Sequence, residues 1–137
     1  MFGCSGSRPR DIGLQAGSLR PCPATPNCVS SEPGTPAEKQ IAPFPAPRRV
    51  PDFERLAAVV AAWPRTAVIT RSAGYMHAES TSLIMRFVDD IEFRLDSASS
   101  LIHVRSASRI GRKDFDVNRK RIAELRMMYD GYVTSKF

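Results

Sequence analysis

Ionisable side chains alternate with apolar ones in several segments of the second half of the chain. The alternation is clearest in Ile91-Glu92-Phe93-Arg94-Leu95 and in Ile102-His103-Val104-Arg105. Residues two apart on a strand share a face of the sheet, and neighbouring strands lie about 4.8 Å apart. Adjacent strands would therefore collect six titratable or charged side chains in one patch: His77, Glu79, Asp90, Glu92, His103 and Arg105.

Two kinds of catalysis fit part of this patch. His77, Glu79 and His103 offer two imidazoles and a carboxylate, a ligand set that suits zinc or iron. Either histidine beside a carboxylate would also suit a general base for hydrolysis. The nearest hydroxyls belong to Ser106 and Ser108, and the chain has no Gly-x-Ser-x-Gly nucleophile elbow. His77, Glu79 and His103 are therefore the catalytic candidates of an alternative function. The favoured function needs no metal or other cofactor.

A basic segment follows the last predicted strand and leads into the last predicted helix. Arginine forks and helix N-termini both suit the binding of an anion. The sequence therefore predicts an anion-binding surface here, formed by two arginines and two hydroxyls within five residues and by polar residues at the start of the helix: Arg105, Ser106, Ser108, Arg109, Asn118, Arg119 and Arg121.

Internal charge pairing explains the same residues without any ligand. An antiparallel sheet with one face in water shows this alternation by default. A cross-strand pair such as Glu92–Arg105 adds only about 0.2–1 kcal/mol. Asp89 would point to the apolar side, where a buried carboxylate needs a partner, and we expect Arg119 or Arg121 to provide it. The binding and structural interpretations both remain open on the sequence alone.

Residues 52–137 are predicted to form an α+β domain with the order α-β-β-β-β-α. The sheet would have four mostly antiparallel strands, with two helices covering one face. Asp52 is the expected N-cap of the first helix, which runs to about Trp63 and is stopped by Pro64. The four strands are predicted at 67–72, 75–82, 87–95 and 101–106, and the last helix at about 117–129.

The last two strands and the last helix allow finer predictions. If like faces align across the hairpin, Phe93 opposes Val104, Glu92 opposes Arg105 and Arg94 opposes His103. The connection from Ser106 to Asp116 contains Gly111, and Asp114 or Asp116 would cap the helix. The inward stripe of that helix is predicted to be Val117, Ile122, Leu125 and Tyr129.

Residues 1–51 are predicted to form a proline-rich arm. All 11 prolines lie in the first 64 residues, and proline removes a backbone donor and restricts φ. The arm should therefore run extended over the domain or project from it. Ile41 and Phe44 are the large apolar side chains that would dock on the core.

The three cysteines suggest an oxidising compartment. Cys22 and Cys28 flank a short proline-containing loop whose spacing fits a disulfide better than a zinc site, although two reduced thiols remain the alternative. Cys4 is left over, and the segment from Met1 to Gly6 resembles the cleavage end of a bacterial lipoprotein signal without the apolar stretch upstream. Either translation starts at Met1 or the true start lies further upstream. We expect Cys4 to be the site of lipid attachment.

Six blocks of sequence resemble an uncharacterised bacterial and plastid family, domain of unknown function 1499, over about residues 20–126. The blocks are Cys22-Pro23-x-x-Pro26-Asn27-Cys28-Val29-Ser30-Ser31, Ile41-Ala42-Pro43, Tyr75-Met76-His77-Ala78-Glu79, Phe87-Val88-Asp89-Asp90-Ile91-Glu92-Phe93, Ile102-His103-Val104-Arg105-Ser106-Ala107-Ser108-Arg109-x-Gly111 and Asp114-x-x-Val117-Asn118-Arg119-x-Arg121-Ile122. The resemblance implies an exported protein, in many members a lipoprotein, and implies no activity. The chain departs from the family pattern at Met85-Arg86 and at Phe115-Asp116, before the last helix.

Charge and hydropathy narrow the possible partners. The net charge of +6 is divided equally between the arm and the domain, and the predicted strands carry no aromatic pair for stacking on RNA, so nucleic acid is a poor fit. No run of 18 apolar residues exists, which excludes a transmembrane helix in this sequence. We therefore expect an envelope or periplasmic protein, associated with the membrane through acylated Cys4. It would serve as a binding or accessory module for an anionic or lipid-like ligand or a protein partner; the alternative is a metal-dependent or acid–base hydrolase.

Overall fold

The computed structural model describes residues 8–24, 27–82, 86–109 and 116–131 of the chain. They form an α+β fold with two α-helices, a short 3-10 helix (Ala37–Lys39) and eight strands. The strands are β1 (Leu14–Gln15), β2 (Ser18–Leu19), β3 (Cys28–Ser30), β4 (Phe44–Pro45), β5 (Thr66–Arg71), β6 (Tyr75–Thr81), β7 (Val88–Asp96) and β8 (Leu101–Ser108). Helix α1 spans Val50–Ala62 and helix α2 spans Asp116–Tyr129. Within these residues, no helix has the length and hydropathy needed to cross a membrane.

The main sheet has six strands, and the prediction of four was therefore wrong. Its order is β3-β8-β7-β6-β5, and β4 also pairs with β8, each pair being antiparallel. The four predicted strands are β5 to β8, and the additional two come from the proline-rich arm. Strands β3 and β4 are two or three residues long, too short for an alternating pattern to reveal. They form because the backbone groups along the outer edge of β8 need hydrogen-bond partners.

The register predicted for the last hairpin is confirmed. Phe93 pairs with Val104, Glu92 with Arg105 and Arg94 with His103. Strand β8 continues to Ser108, two residues beyond the predicted end, so Ala107 and Ser108 belong to the strand and not to the connection that follows. Gly111 and the rest of that connection lie outside the described residues.

Helix α1 begins two residues earlier than predicted, and Asp52 is not its N-cap. The residue before the helix is Arg49, which has a positive φ of 59°. Pro51 fits inside the first turn because the N–H that proline lacks would have no acceptor within the helix there. The carboxylate of Asp52 instead accepts hydrogen bonds from the backbone N–H and the guanidinium of Arg48. The helix ends before Trp63 and Pro64, as expected.

Helix α2 buries three of its four predicted inward residues. Ile122, Leu125 and Tyr129 are buried against the sheet and helix α1, whereas Val117 is half-buried. The predicted cap cannot be placed, because Asp114 and the side chain of Asp116 lie outside the described residues. The predicted partner of Asp89 is present on this helix: Nη1 of Arg121 lies 3.0 Å from an Asp89 carboxylate oxygen.

The charged face of the sheet is buried, whereas the sequence suggested a face in water. The β1–β2 hairpin and the segment before it lie across β7 and β8 on the side opposite the helices. As a result His77, Asp90, Glu92 and Arg105 are each at most 1% exposed. Phe44 from the arm enters the apolar core on the other face, and Ile41 packs against that core, as predicted. The arm therefore contacts both faces of the sheet.

Candidate functional site

A buried ion-pair cluster lies where β6, β7 and β8 run side by side. The Nε2–H of His77 donates to Oδ1 of Asp90 at 2.8 Å. The Arg109 guanidinium donates to both oxygens of the same carboxylate, from Nε at 2.9 Å and from Nη2 at 3.0 Å. Nη2 of Arg109 also contacts Glu79, which receives a second arginine, Arg8, from the arm. Each carboxylate in this cluster therefore faces at least one cation.

The ion pairs fix the charge state of Asp90. Burial by itself would raise its pKa, but the hydrogen bonds from His77 and Arg109 and the positive charge of Arg109 outweigh burial. The pKa of Asp90 therefore lies below its usual value, and the group is a carboxylate at neutral pH. An ionised carboxylate can only accept hydrogen bonds, which is why the His77 ring donates to it.

A second buried pair lies two residues further along β7 and β8 on the same face of the sheet. Arg105, which is 1% exposed, contacts the fully buried Glu92 at 3.3 Å and Asp11 of the arm at 2.6 Å. Its Nε has no hydrogen-bond partner among the residues that the structure describes. Glu92 also accepts from the backbone N–H of Gly13 at 2.7 Å and from the hydroxyl of Tyr75. Burial, then the hydrogen bond to Glu92, raises the pKa of Tyr75, so its hydroxyl keeps the proton it donates.

A cleft of about 230 Å³ opens beside these two arginines. Asp90, Arg105 and Arg109 provide its charged wall on the strands, and Asp11 provides the charge on the arm. The full lining, which also includes backbone and small side chains, is Pro9, Asp11, Pro23, Asn27, Asp90, Arg105, Ala107, Ser108 and Arg109. Two arginines and a serine in one cleft are the groups that the sequence predicted for an anion.

A larger cleft of about 520 Å³ lies between the β1–β2 hairpin and residues 32–36. Its charged lining residues, Glu32 and Arg94, pair with each other through two hydrogen bonds of 2.5 and 2.9 Å. Burial would raise the pKa of Glu32, but Arg94 and the Leu19 N–H keep it below the usual value. The cleft beside Arg105 is the better candidate site, because there the Nε of a buried arginine has no hydrogen-bond partner among the described residues.

His103 does not join His77, so the predicted set of catalytic residues does not converge. His77 lies on β6 and His103 on β8, two strand spacings away. Their register positions also differ by two residues, so the two histidines are about 12 Å apart at ordinary sheet spacing. His103 instead contacts the Ser31 hydroxyl through Nδ1 at 2.9 Å. The group that does converge is His77, Glu79 and Asp90, whose ligand atoms lie within 4.8 Å of one another. Arg109 already contacts both carboxylates of that group and provides the positive charge that a metal ion would.

A family model described as "Protein of unknown function (DUF1499)" matches residues 18–128 of the chain. The chain belongs to this family. No curated protein and no solved structure matches it. The DUF1499 region contains the strand wall of the cleft, including Asp90, Arg105 and Arg109, whereas Asp11 of the arm precedes it.

The DUF1499 region also contains the predicted disulfide. Cys22 and Cys28 are bonded, with their Cα atoms 5.7 Å apart. The bond joins the segment that follows the β1–β2 hairpin to β3 and so holds Pro23, a lining residue of the cleft, close to the sheet. Cys4, the predicted lipidation site, lies outside the described residues.

Four of the predicted anion-binding residues support the fold and do not line the cleft. Ser106 donates to Asn118 Oδ1 at 2.6 Å, and Asn118 donates to Ser108 Oγ at 3.0 Å and to the Asn27 carbonyl at 3.1 Å. These bonds connect helix α2 to β8 and β3. Arg119 donates to the carbonyls of Glu38 and Gln40, and Arg121 pairs with Asp89.

The sequence prediction missed Asp11 and Asn27. Both belong to the arm, and no periodicity or motif places an arm residue opposite a particular strand. Arg105 is a buried cation whose predicted cross-strand partner, Glu92, accepts only part of its hydrogen bonding. An arginine has five N–H donors, so Arg105, if buried, needs more acceptors than Glu92 offers. That shortfall is the signal that could have indicated a further acceptor such as Asp11.

Proposed function

We propose that this DUF1499 protein is an envelope-located binding module that holds an anionic group of its ligand in the cleft beside Arg105 and Arg109. The observation that carries the proposal is the pair of buried arginines that line one cleft, together with the buried Nε of Arg105, which has no hydrogen-bond partner among the described residues. A guanidinium presents its N–H groups in a planar fork that matches an oxyanion, and its interaction is stronger where water is excluded.

The carboxylates behind the arginines support this function by orienting them. Asp90 holds Arg109 through two bonds, and Glu92 contacts Arg105 from the same sheet face. Binding sites depend on such supporting contacts, because they fix the rotamers of the groups that meet the ligand. Ser108, at the end of β8, adds a hydroxyl to the wall of the same cleft.

A second candidate is a metal-dependent or acid–base hydrolase, and the convergence of His77, Glu79 and Asp90 favours it. That function would require Arg109 to leave both carboxylates before a metal could bind. His77 is also absent from the lining of the cleft, whereas a general base must reach its substrate. Binding is therefore the better supported proposal. Zinc added to the protein separates the two, since only the metal site predicts a specific shift of the His77 ring resonances.

The disulfide supports a location in the cell envelope. Disulfides persist in oxidising compartments such as the periplasm and are rare in the cytosol. We further propose that Cys4 carries a lipid, which would place the cleft within about 25 Å of the bilayer, the greatest reach of the seven residues to Asp11. Intact mass spectrometry of the protein from its native host tests both points. A mass without acylation would contradict lipid attachment, and free thiols at Cys22 and Cys28 would contradict export.

Anion binding at the cleft is tested by NMR titration of the full chain with acetate and with diethyl phosphate. We expect saturable shifts of the Ala107, Ser108 and Arg109 amides. Arg109→Lys keeps the charge beside Asp90 but loses the fork, so affinity should fall about fivefold, equivalent to about 1 kcal/mol for one hydrogen bond. Arg119→Lys is the matched control, because Arg119 also donates to two acceptors but lies away from the cleft. Equal effects of the two variants, or no saturable shift, would contradict the proposal.

A further inference from the structure

The segment from Arg8 to Gly13 makes three polar contacts with the charged face of the sheet. Arg8 pairs with Glu79 at 2.6 Å, Asp11 pairs with Arg105 at 2.6 Å, and the Gly13 N–H donates to Glu92 at 2.7 Å. Each contact adds an opposite charge or a hydrogen-bond donor to a charged strand residue that already has at least one partner on the sheet. The segment, called the strap below, therefore fits the face by charge complementarity along its length.

Asp11 differs from the other carboxylates that meet the two arginines. Its side chain is 44% exposed, whereas Glu92 and Asp90 are at most 1% exposed. The ion pair joins its Oδ2 to Nη2 of Arg105, and Nε of that arginine has no partner among the described residues. A solvent-exposed carboxylate on a fully buried guanidinium can be exchanged for another oxyanion while Glu92 stays paired with Arg105 and Asp90 with Arg109.

We infer that Asp11 is an internal competitor for the cleft, and that the ligand's anionic group replaces it on Arg105 as the strap moves away. The inference rests on the proposed function and adds a regulatory contact and a class of ligand to it. A ligand oxyanion that accepts from two N–H groups of Arg105 at once gains the geometry that Asp11 lacks. The strap precedes the part of the chain that matches the family, whereas the arginines lie inside it.

Charge balance selects a singly charged oxyanion. When the strap leaves, Arg105 and Arg109 still face Glu92, Asp90 and Glu79. The departing strap takes Arg8 from Glu79 as well as Asp11 from Arg105, so a singly charged ligand leaves this partly dehydrated site one charge more negative, whereas a dianion leaves it two charges more negative. The ligand group is therefore a carboxylate or a phosphodiester, the latter as found in a phospholipid headgroup.

The test is an NMR titration of the full chain, comparing wild type with Asp11→Asn. Removal of the competing carboxylate should tighten the binding of acetate and of diethyl phosphate by at least about fivefold, the lower end of ordinary coupling between ligands. Sulfate, a dianion, should bind more weakly than either. Glu54→Gln is the matched control, because Glu54 is an exposed carboxylate that pairs with Arg71 at 2.5 Å.

Two further measurements show whether the strap moves and where the anion comes from. At saturating ligand the Gly13 amide should exchange with solvent faster, because its bond to Glu92 is broken. Co-sedimentation with vesicles of phosphatidylglycerol in phosphatidylcholine, compared with phosphatidylcholine alone, detects a lipid source. Gains for diethyl phosphate and for the anionic vesicles would identify a headgroup, and a gain for acetate alone would identify a carboxylate ligand.

The failures are distinguishable. If wild type binds the anions but Asp11→Asn binds no more tightly than Glu54→Gln, or if Gly13 remains protected at saturation, the competitor role is wrong and the binding function stands. If the cleft amides of neither wild type nor Asp11→Asn respond to any of the anions, the proposed function and this inference are both overturned.

Discussion

At the scale of single residues, the protein is unusual in how many ionised groups it buries on one sheet face. Removing ions from water is costly, and their mutual attraction compensates only when each charge has a well-placed partner. Asp90 meets this condition with three hydrogen bonds, from His77 and from two nitrogens of Arg109. The same rule predicts that losing one member of the cluster costs more than losing a surface ion pair.

Asp90→Asn should lower the free energy of unfolding by about 3–5 kcal/mol at neutral pH, because it leaves Arg109 and His77 without their shared carboxylate. The pKa of Asp90 lies below its usual value. Its contribution is therefore fully present above the pKa of an unfolded aspartate, about 3.9, and is lost as the pH falls through the lower folded value. The difference between wild type and variant should accordingly shrink below about pH 4. Urea unfolding at pH 7 and pH 3 measures it.

Asp96→Asn is the control for this prediction. Asp96 is partly exposed and lies 3.9 Å from Arg94, so its loss should cost no more than about 1 kcal/mol. Equal losses for the two variants at pH 7, or a difference that does not depend on pH, would show that the buried cluster contributes no more than a surface pair.

At the scale of elements, short segments of the arm complete the sheet and the apolar core that the longer strands and helices form. Strand β4 places Phe44 in the core, where its ring meets Phe93 at 6.2 Å and Tyr129 at 5.3 Å between centroids. Helix α2 holds the same segment through Arg126, which donates to the carbonyls of Ala42 and Pro43. The prolines of the arm do not prevent this. In the sheet β3 and β4 each pair with one strand, β8, and proline is tolerated in a strand that has a neighbour on one side only.

The fragment 52–137 should therefore fail to fold alone, although the sequence suggests it as a domain. Loss of Phe44 alone removes about 3–5 kcal/mol from a stability of about 5–15 kcal/mol. The fragment also uncovers Glu92 and Arg105 and leaves the outer edge of β8 without its partners. We expect narrow amide dispersion in the NMR spectrum of 52–137 and wide dispersion for 8–137. A dispersed spectrum and a cooperative melt for 52–137 would show that the arm is an accessory to an independent domain.

At the scale of the whole molecule, one sheet separates two environments. Helices α1 and α2 cover an apolar face, and the β1–β2 hairpin with the strap covers a charged one. In the charged layer Arg105 and Arg109 are matched by carboxylates, so the chain's net charge of +6 does not make their part of the layer a strongly basic surface. In the proposed function, selectivity at the cleft depends on the exchange of the exposed Asp11 carboxylate for a ligand anion on buried Arg105 rather than on long-range attraction.

The sequence by itself determined the elements and register of the hairpin, the docking of Phe44 and the disulfide. These features follow from rules that act between residues close in sequence. The rules are the period of two in strands, the helical spacing of apolar residues, the missing N–H of proline and the short Cα–Cα distance that a disulfide requires. The pairing of Phe93 with Val104 could be predicted in this way, and the partner of Asp89 could be narrowed to Arg119 or Arg121, because each involves adjacent strands or one face of one helix. Three members of the predicted binding surface, Arg105, Ser108 and Arg109, do line the cleft for the same reason.

Only the tertiary structure decided which face is in water, which residues meet Arg105 and which histidine belongs to the cluster. Asp11 lies 94 positions before Arg105 in the chain, and no local pattern encodes a contact between them. An alternating strand reads the same whether its polar face meets solvent or an arm that provides opposite charges. His103 and His77 share a sheet face, but the strand order and register separate them, because β7 lies between their strands and their register positions differ by two residues. The path of the arm, set by the packing of its apolar and charged residues, determines which sheet face is covered and which residues meet Arg105. The strand order determines which histidine belongs to the cluster.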